Sequence, residues 1–322
     1  MSAPTAPLLT VEALKKYFPV RRGLLQRTAG HVKAVDGVDF QIQPLQTMGL
    51  VGESGCGKST VARLILRLLN PDNGTIRFDD REITGLDERD FKPLRRKIQM
   101  IFQDPYSSLN PRMTVAQSIG DGVRMAGIRD KAEQRNRIKQ LLEMVGMPAA
   151  SADRYPHEFS GGQRQRVGIA RALSVSPQLI LCDEPISALD VSIQAQIINL
   201  LKDLQKELGL SYLFISHDLN VVSYICDHVC VMYRGRIVES APAAVLFDDP
   251  RHPYTLKLLS AVPEATTVGW SPRVESERPK ATPPGGCSFA DQCPDRNDAC
   301  NQAPQDLVRV GDEHFVRCWN AS

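Results

Sequence analysis

The sequence predicts an α/β fold built on a largely parallel sheet covered on both faces, and three observations carry this. Short apolar runs rich in Val, Ile, Leu and Phe alternate with helical patterns, as expected when parallel strands are joined by crossover helices. One such run, 48–51, leads into Gly52-Glu53-Ser54-Gly55-Cys56-Gly57-Lys58-Ser59, which fits the phosphate-loop spacing G-x-x-x-x-G-K-S/T. Another, 179–182, ends on the carboxylates Asp183 and Glu184, and parallel sheets bind ligands at that carboxyl edge.

The elements follow in chain order. Run 48–51 reads as a buried strand. Its glycines at 52, 55 and 57 let successive N–H groups curl toward one anion. Lys58 would sit on the β- and γ-phosphates, Ser59 would offer Mg²⁺ a hydroxyl, and a helix from Thr60 to Leu69 would turn its positive end to the phosphates. Run 98–102 is the next strand, with the Gln103 amide at its end able to meet both Mg²⁺ and an attacking water. Residues 104–173 turn charged and helical, most strongly over 131–146, and read as a helical insertion. Within it Phe159-Ser160-Gly161-Gly162-Gln163 would open a helix, a second anion-binding N-terminus.

After the 179–182 strand, Asp183 would hold Mg²⁺ through its water shell, and Glu184 would take a proton from water attacking the γ-phosphate. Residues 191–208 place Ile193, Ile197, Leu200, Leu201, Leu204 and Leu208 on one helical stripe, with Asp190 as N-cap and Gly209 as stop. That stripe is packing. Strand 212–216 ends at His217, positioned for a polar contact to the γ-phosphate. Residues 268–286, rich in Pro, Ser and charge, read as an exposed linker.

The chain has 322 residues, 42% hydrophobic and 24% charged, enough for one large core and an appendage. A net charge of +2 argues against bulk electrostatic binding of nucleic acid. No apolar run approaches the roughly 18 residues that cross a bilayer, and Met1 to Thr10 lacks a charged segment before an apolar core. A cytoplasmic location with mostly reduced thiols is therefore expected for its eight cysteines.

Together these motifs resemble the ATP-binding subunits of ABC transporters, over roughly residues 8–262. The resemblance implies a P-loop core of ABC type with an antiparallel N-terminal subdomain. It makes 52–60 the Walker A loop, Gln103 the Q-loop, Ser160 to Gln163 the signature, 179–184 Walker B, 187–190 the D-loop and His217 the switch histidine. Gly52 to Thr60, Gln103, Asp183 and His217 would then bind ATP, with Mg²⁺ on Ser59, Gln103 and Asp183. Lys58, Gln103, Glu184 and His217 would be catalytic. Phe159 stands where the family usually has Leu. The adenine would stack on Phe18, favoured by its offset to Ala34-Val35-Asp36, or on Tyr17.

The signature implies a partner, since it closes on ATP held by a second ATPase subunit, a copy or a paralogue. Two integral membrane permease subunits and an extracytoplasmic peptide-binding protein would complete the assembly, with this chain peripheral on the cytoplasmic face of the cell membrane. Residues 107–111 would line the groove that receives a permease helix. Tyr155-Pro156-His157-Glu158-Phe159 and Arg251-His252-Pro253-Tyr254 resemble the dipeptide and oligopeptide importer subgroup, a pattern shared by importers of nickel, glutathione and other solutes. From the residues themselves, 252–254 is only a turn. The implied division is a nucleotide-binding domain 1–267, linker 268–286 and Cys-rich module 287–322.

Cys287, Cys293, Cys300 and Cys318 follow a C-x5-C-x6-C-x17-C spacing. A reducing compartment disfavours disulfides, and the spacing lacks the C-x-x-C of structural zinc. Four thiolates suit an iron–sulfur cluster, and the resemblance implies a 4Fe-4S cluster, with zinc or free thiols as the alternatives. Cys56, Cys182, Cys226 and Cys230 read as packing residues.

Overall fold

Strands Ile98–Ile101, Leu179–Asp183 and Ser211–Ser216 pair in parallel, with Ile98 opposite Leu179 and Leu179 opposite Ser211. Every residue of the last two strands is buried. That is why these runs are continuously apolar rather than alternating. A computed structural model describes residues 6–22, 27–104, 109–260, 286–303 and 305–320. The chain divides into two units, and these three strands belong to the one made of residues 1–8, 42–47 and 85–215.

The helical insertion of this unit contains Val115–Met125, Lys131–Met144 and Gly161–Leu173. Each starts on a side-chain cap, from Thr114, Asp130 and Ser160 respectively, which satisfies N–H groups a helix start leaves open. Val191–Leu208 is different. Asp190 stands at its N-cap, but the side chain makes no cap bond, and the Asp190 carbonyl instead accepts from Ile193 and Gln194 N–H at 2.9 Å each. Gly209 does stop the helix, with φ 67°. Ile197, Ile198, Leu201 and Leu204 form the buried face. Of the other residues expected on that stripe, Leu208 is 39% exposed and Ile193 and Leu200 are half-buried.

The second unit holds residues 9–41, 48–84 and 216–322. Its first sheet runs in the order Arg27–Ile42, Leu9–Arg22, Asn73–Phe78, Arg81–Glu82. The pairings of Asn73–Phe78 with both neighbours are antiparallel, in keeping with the antiparallel N-terminal subdomain. The other strands run in the order Val308–Gly311, His314–Val316, Arg236–Pro242, His228–Tyr233, Thr47–Val51. Only the last pairing is parallel, Met48 opposite His228; the others are antiparallel. The tail thus contributes a hairpin to a sheet, which its cysteine spacing gave no sign of.

The helix expected over 60–69 runs Lys58–Ile65, so Lys58 and Ser59 lie in its first turn. Arg67 at φ 53° ends it early. Cys182, Cys226 and Cys230 are buried as packing residues. The linker at 268–286 lies outside the described residues except for Gly286, as do residues 107 and 108 of the expected groove. Among the described residues no helix is long and apolar enough to cross a membrane.

Candidate functional site

The phosphate loop, in the second unit, is shaped by glycines that nothing else could replace. At Gly57 φ is 116°, and an added Cβ would lie 2.0 Å from the Ala34 carbonyl oxygen. At Gly52 φ is 148°, and a Cβ would meet the Met232 oxygen at 2.2 Å. Side chains at either position would face both backbone strain and collision. Lys58 is 4% exposed. Its Nζ donates to the Gly52 oxygen at 2.7 Å and the Glu53 oxygen at 3.1 Å, so the ammonium is held inside the loop it would share with phosphate. Cys56 Sγ is 3.8 Å from that Nζ. Burial outweighs the nearby cation and raises the Cys56 pKa, keeping it a thiol.

Tyr17 and Phe18 end in different surroundings. The Tyr17 hydroxyl bonds Asp36 Oδ1, and burial, then Asp36, push its pKa up to about 12. Burial works against ionised Asp36, but Tyr17 and a two-pronged Arg236 contact at 3.0 and 2.7 Å more than offset it, and its pKa is lowered. Phe18 is 36% exposed with Lys16 Nζ 5.8 Å from its ring centroid, so it keeps an open face. His217 is exposed just after strand Ser211–Ser216. The turn that carries it is fixed by Asp218, whose N–H donates to Ser216 Oγ at 3.0 Å and whose carboxylate caps Leu219–Ile225.

In the first unit, Asp183 is the buried last residue of its strand, 5% exposed. Glu184 follows at φ 47°, a conformation uncommon for a residue with a side chain and frequent where sites store strain. Its N–H donates to the Ile215 oxygen at 2.9 Å, and its carbonyl accepts from Ser187 N–H and Oγ. This turn aims the Glu184 carboxylate at Gln103, whose Nε2 donates to Oε2 at 2.8 Å. Residues 81 positions apart are thus joined.

Ser160 and Gln163 form a reciprocal cap on Gly161–Leu173. A Cβ on Gly162 would lie 2.5 Å from Ile193 Cγ2, so the signature backbone is packed against the helix that starts near Asp190. Phe159 is 4% exposed, with the Arg154 guanidinium 4.4 Å over its ring. The departure from Leu is absorbed as packing. Buried Arg164 donates to the Pro156 and His157 carbonyls, which fixes the 155–159 turn.

The four tail cysteines are neighbours. Cys287 N–H donates to the Cys300 oxygen at 2.8 Å. Burial first, and then the other thiols, raise the pKa of Cys287, Cys293 and Cys318, that of Cys293 to about 12. Yet no group of three or more His, Cys, Asp or Glu side chains among the described residues is arranged to hold a metal ion. The four tail cysteines therefore do not form such a group. Cys300 Sγ donates to Asn297 Oδ1 at 3.3 Å.

One contact was not legible in the motifs. Tyr254 Oη accepts the Glu53 N–H of the phosphate loop at 2.9 Å. The only sign of it in the sequence was the 251–254 pattern, in which 252–254 was expected to be only a turn, whereas Pro253 and Tyr254 open the helix Pro253–Ser260.

Residues 35–187 match the ABC transporter family, and residues 238–300 match the oligopeptide/dipeptide transporter C-terminal region. The oligopeptide transport ATP-binding protein AppF of Bacillus subtilis is 48% identical over 317 residues, covering 97% of this chain and 96% of that protein. The ATP-binding cassette MJ0796, in a dimeric post-hydrolysis state bound to ADP and phosphate, superimposes with a TM-score of 0.65 at 28% identity. That alignment covers 73% of this chain and 98% of the cassette. CbiO1 of Clostridium perfringens, part of the ABC transporter complex CbiONQ, gives the same score and identity over 79% and 95%.

Proposed function

The chain belongs to the ATP-binding subunits of ABC transporters, within the oligopeptide and dipeptide group, and on that premise we propose how its residues drive transport. It hydrolyses ATP and couples hydrolysis to peptide import. The loop 52–60 takes the phosphates, with Lys58 exchanging the Gly52 and Glu53 carbonyls for the β- and γ-phosphates, and Phe18 takes the adenine. Ser59, Gln103 and Asp183 would hold Mg²⁺, an ion that would neutralise phosphate charge. Glu184 accepts the proton of the attacking water, Gln103 orients that water, and His217 meets the γ-phosphate. Ser160, Gly161, Gly162 and Gln163 close on the ATP of a second ATPase subunit, a paralogue by this reading.

The Gln103 to Glu184 hydrogen bond carries the reading, since it joins the proposed base to the residue that orients the attacking water. In proteoliposomes holding the assembled complex, ATP-driven uptake of labelled di- and oligopeptides should cease with Glu184→Gln. Undiminished uptake would remove Glu184 as the base. Uptake of Ni²⁺ in place of peptides would move the solute class.

The same proposal places residues 1–267 as nucleotide-binding domain, 268–286 as linker and 287–322 as C-terminal module. It seats the chain peripherally on the cytoplasmic face of the membrane, under two permease subunits served by an extracytoplasmic peptide-binding protein. Cys287, Cys293, Cys300 and Cys318 would ligate a 4Fe-4S cluster. The support is a donor set of four cysteines in one tail, with the Cys287 N–H bonded to the Cys300 carbonyl at 2.8 Å, since four thiolates suit an iron–sulfur cluster. Anaerobically purified protein should then contain about four irons per chain. Stoichiometric zinc without iron, or four thiols open to alkylation in the native protein, would overturn this assignment.

A further inference from the structure

The Arg251-His252-Pro253-Tyr254 segment, which leads into the helix Pro253–Ser260, has a role in neither the ATP chemistry nor the thiol module, yet it touches both. Tyr254 is fully buried. Its hydroxyl accepts the Glu53 N–H at 2.9 Å, and the carbonyl of that same residue is one of the two that hold Lys58. An N–H committed to Tyr254 cannot turn inward, so the hydroxyl fixes how this side of the loop faces.

Two sets of contacts fix the hydroxyl in turn. The first holds the backbone. Glu239, with no exposed surface, accepts Arg251 N–H on Oε1 at 2.7 Å and His252 N–H on Oε2 at 3.0 Å. His314 Nε2 of the tail hairpin lies 2.8 Å from the same Oε1. His252 Nδ1 accepts the Tyr254 N–H at 3.0 Å, and burial draws its pKa down to about 3, so the ring keeps the lone pair this bond needs.

The second set holds the ring. Tyr254 lies 4.5 Å from Tyr233 and 5.5 Å from Phe289 between centroids. Phe289, two residues past Cys287, is 1% exposed and also lies 5.4 Å from Tyr233. Lys257, one turn past Tyr254, adds a parallel arm: its Nζ is 2.7 Å from Gln292 Oε1 of the module and 3.6 Å from Glu53 Oε1.

We propose that Tyr254 is a positioning residue for ATP binding, its hydroxyl setting the Glu53 amide of the phosphate loop, and that the C-terminal module sets Tyr254 through Phe289. This rests on 52–60 being the ATP phosphate loop. Tyr254→Phe keeps the ring and its neighbours and removes only the acceptor. The lost neutral hydrogen bond should raise the ATP Kd and KM about threefold to tenfold. At saturating ATP kcat should stay within about twofold, because the bond is made before and during the reaction alike.

The experiment measures mant-ATP binding, ATPase kinetics and nucleotide-free melting of the full chain in its assembled complex. Lys58→Ala serves as the check on the loop: normal ATP affinity in that variant would sink the phosphate-loop reading itself, whatever Tyr254 does. With the loop confirmed, an unchanged Kd in Tyr254→Phe overturns the positioning role, as does a fall in kcat that follows a lowered melting temperature. Phe289→Leu should weaken ATP binding in the parent and add nothing in the Tyr254→Phe background. Additive losses would show that the module does not act through this hydroxyl.

Discussion

The phosphate loop at 52–60 and the segment at 251–254 each lead into a helix, but they are held in shape by different means. The loop carries most of its geometry within itself, through glycines at positive φ, a buried strand before it and a lysine bonded back to carbonyls five and six residues earlier, with the Glu53 N–H held from outside by Tyr254. The second segment borrows most of its shape. Its Arg251 and His252 N–H groups end on Glu239, twelve and thirteen residues away, and its aromatic ring on Tyr233 and Phe289. A self-shaped loop is recognisable wherever it occurs. A borrowed shape has meaning only once its lenders are in place.

The largest effect should come from the chemistry that this scaffold serves. Glu184→Gln should lower kcat by about 10²- to 10⁴-fold, the usual worth of a positioned base, while mant-ATP binding stays near that of the parent. Turnover within about threefold would remove the base.

Gly57→Ala breaks the self-contained loop at its tightest point, since its Cβ meets the Ala34 carbonyl at 2.0 Å. ATP affinity should fall at least about tenfold, from an unsuitable φ and a backbone collision together. Equilibrium binding checks this, and retained affinity would show that the loop's shape is less self-imposed than its φ values suggest.

Glu239→Ala breaks the borrowed geometry instead. Two N–H groups and a buried imidazole lose their acceptor, which should cost about 3 kcal/mol of stability, read from chemical denaturation. Limited proteolysis should then release the tail hairpin. Weakened ATP binding alongside would tie the two regions together; a stability loss with unchanged affinity would separate them.

The smallest effect is graded. Burial lowers His228 to about 4 and His252 to about 3, against an ordinary value of 6.5. The unfolded chain therefore takes up these protons first as pH falls. Their stability is fully present above about pH 6.5 and is lost toward pH 4 for His228 and pH 3 for His252, at up to about 1.4 kcal/mol per unit for each ring. Melting curves between pH 7 and 5 should be shallower in His228→Asn, which lacks one of the two groups. An identical slope would assign the loss to other groups.

The sequence by itself determined what short-range chemistry can encode. The strand before Gly52, the helix stop at Gly209 and the carboxylate pair at 183 and 184 each depend on neighbours a few residues away, and each stands where the pattern put it. The side-chain details did not follow as well: Asp190 occupies its cap position without capping, and the buried face of its helix includes Ile198 and leaves Leu208 outside. Burial is fixed by what lies opposite a helix, which periodicity does not record. Only the tertiary structure joined Gln103 to Glu184 across 81 residues, placed the tail hairpin beside Arg236–Pro242, and brought Tyr254 to Glu53 across 201. Such pairings leave no spacing to read in one chain, because each partner would look the same in a loop that met nothing.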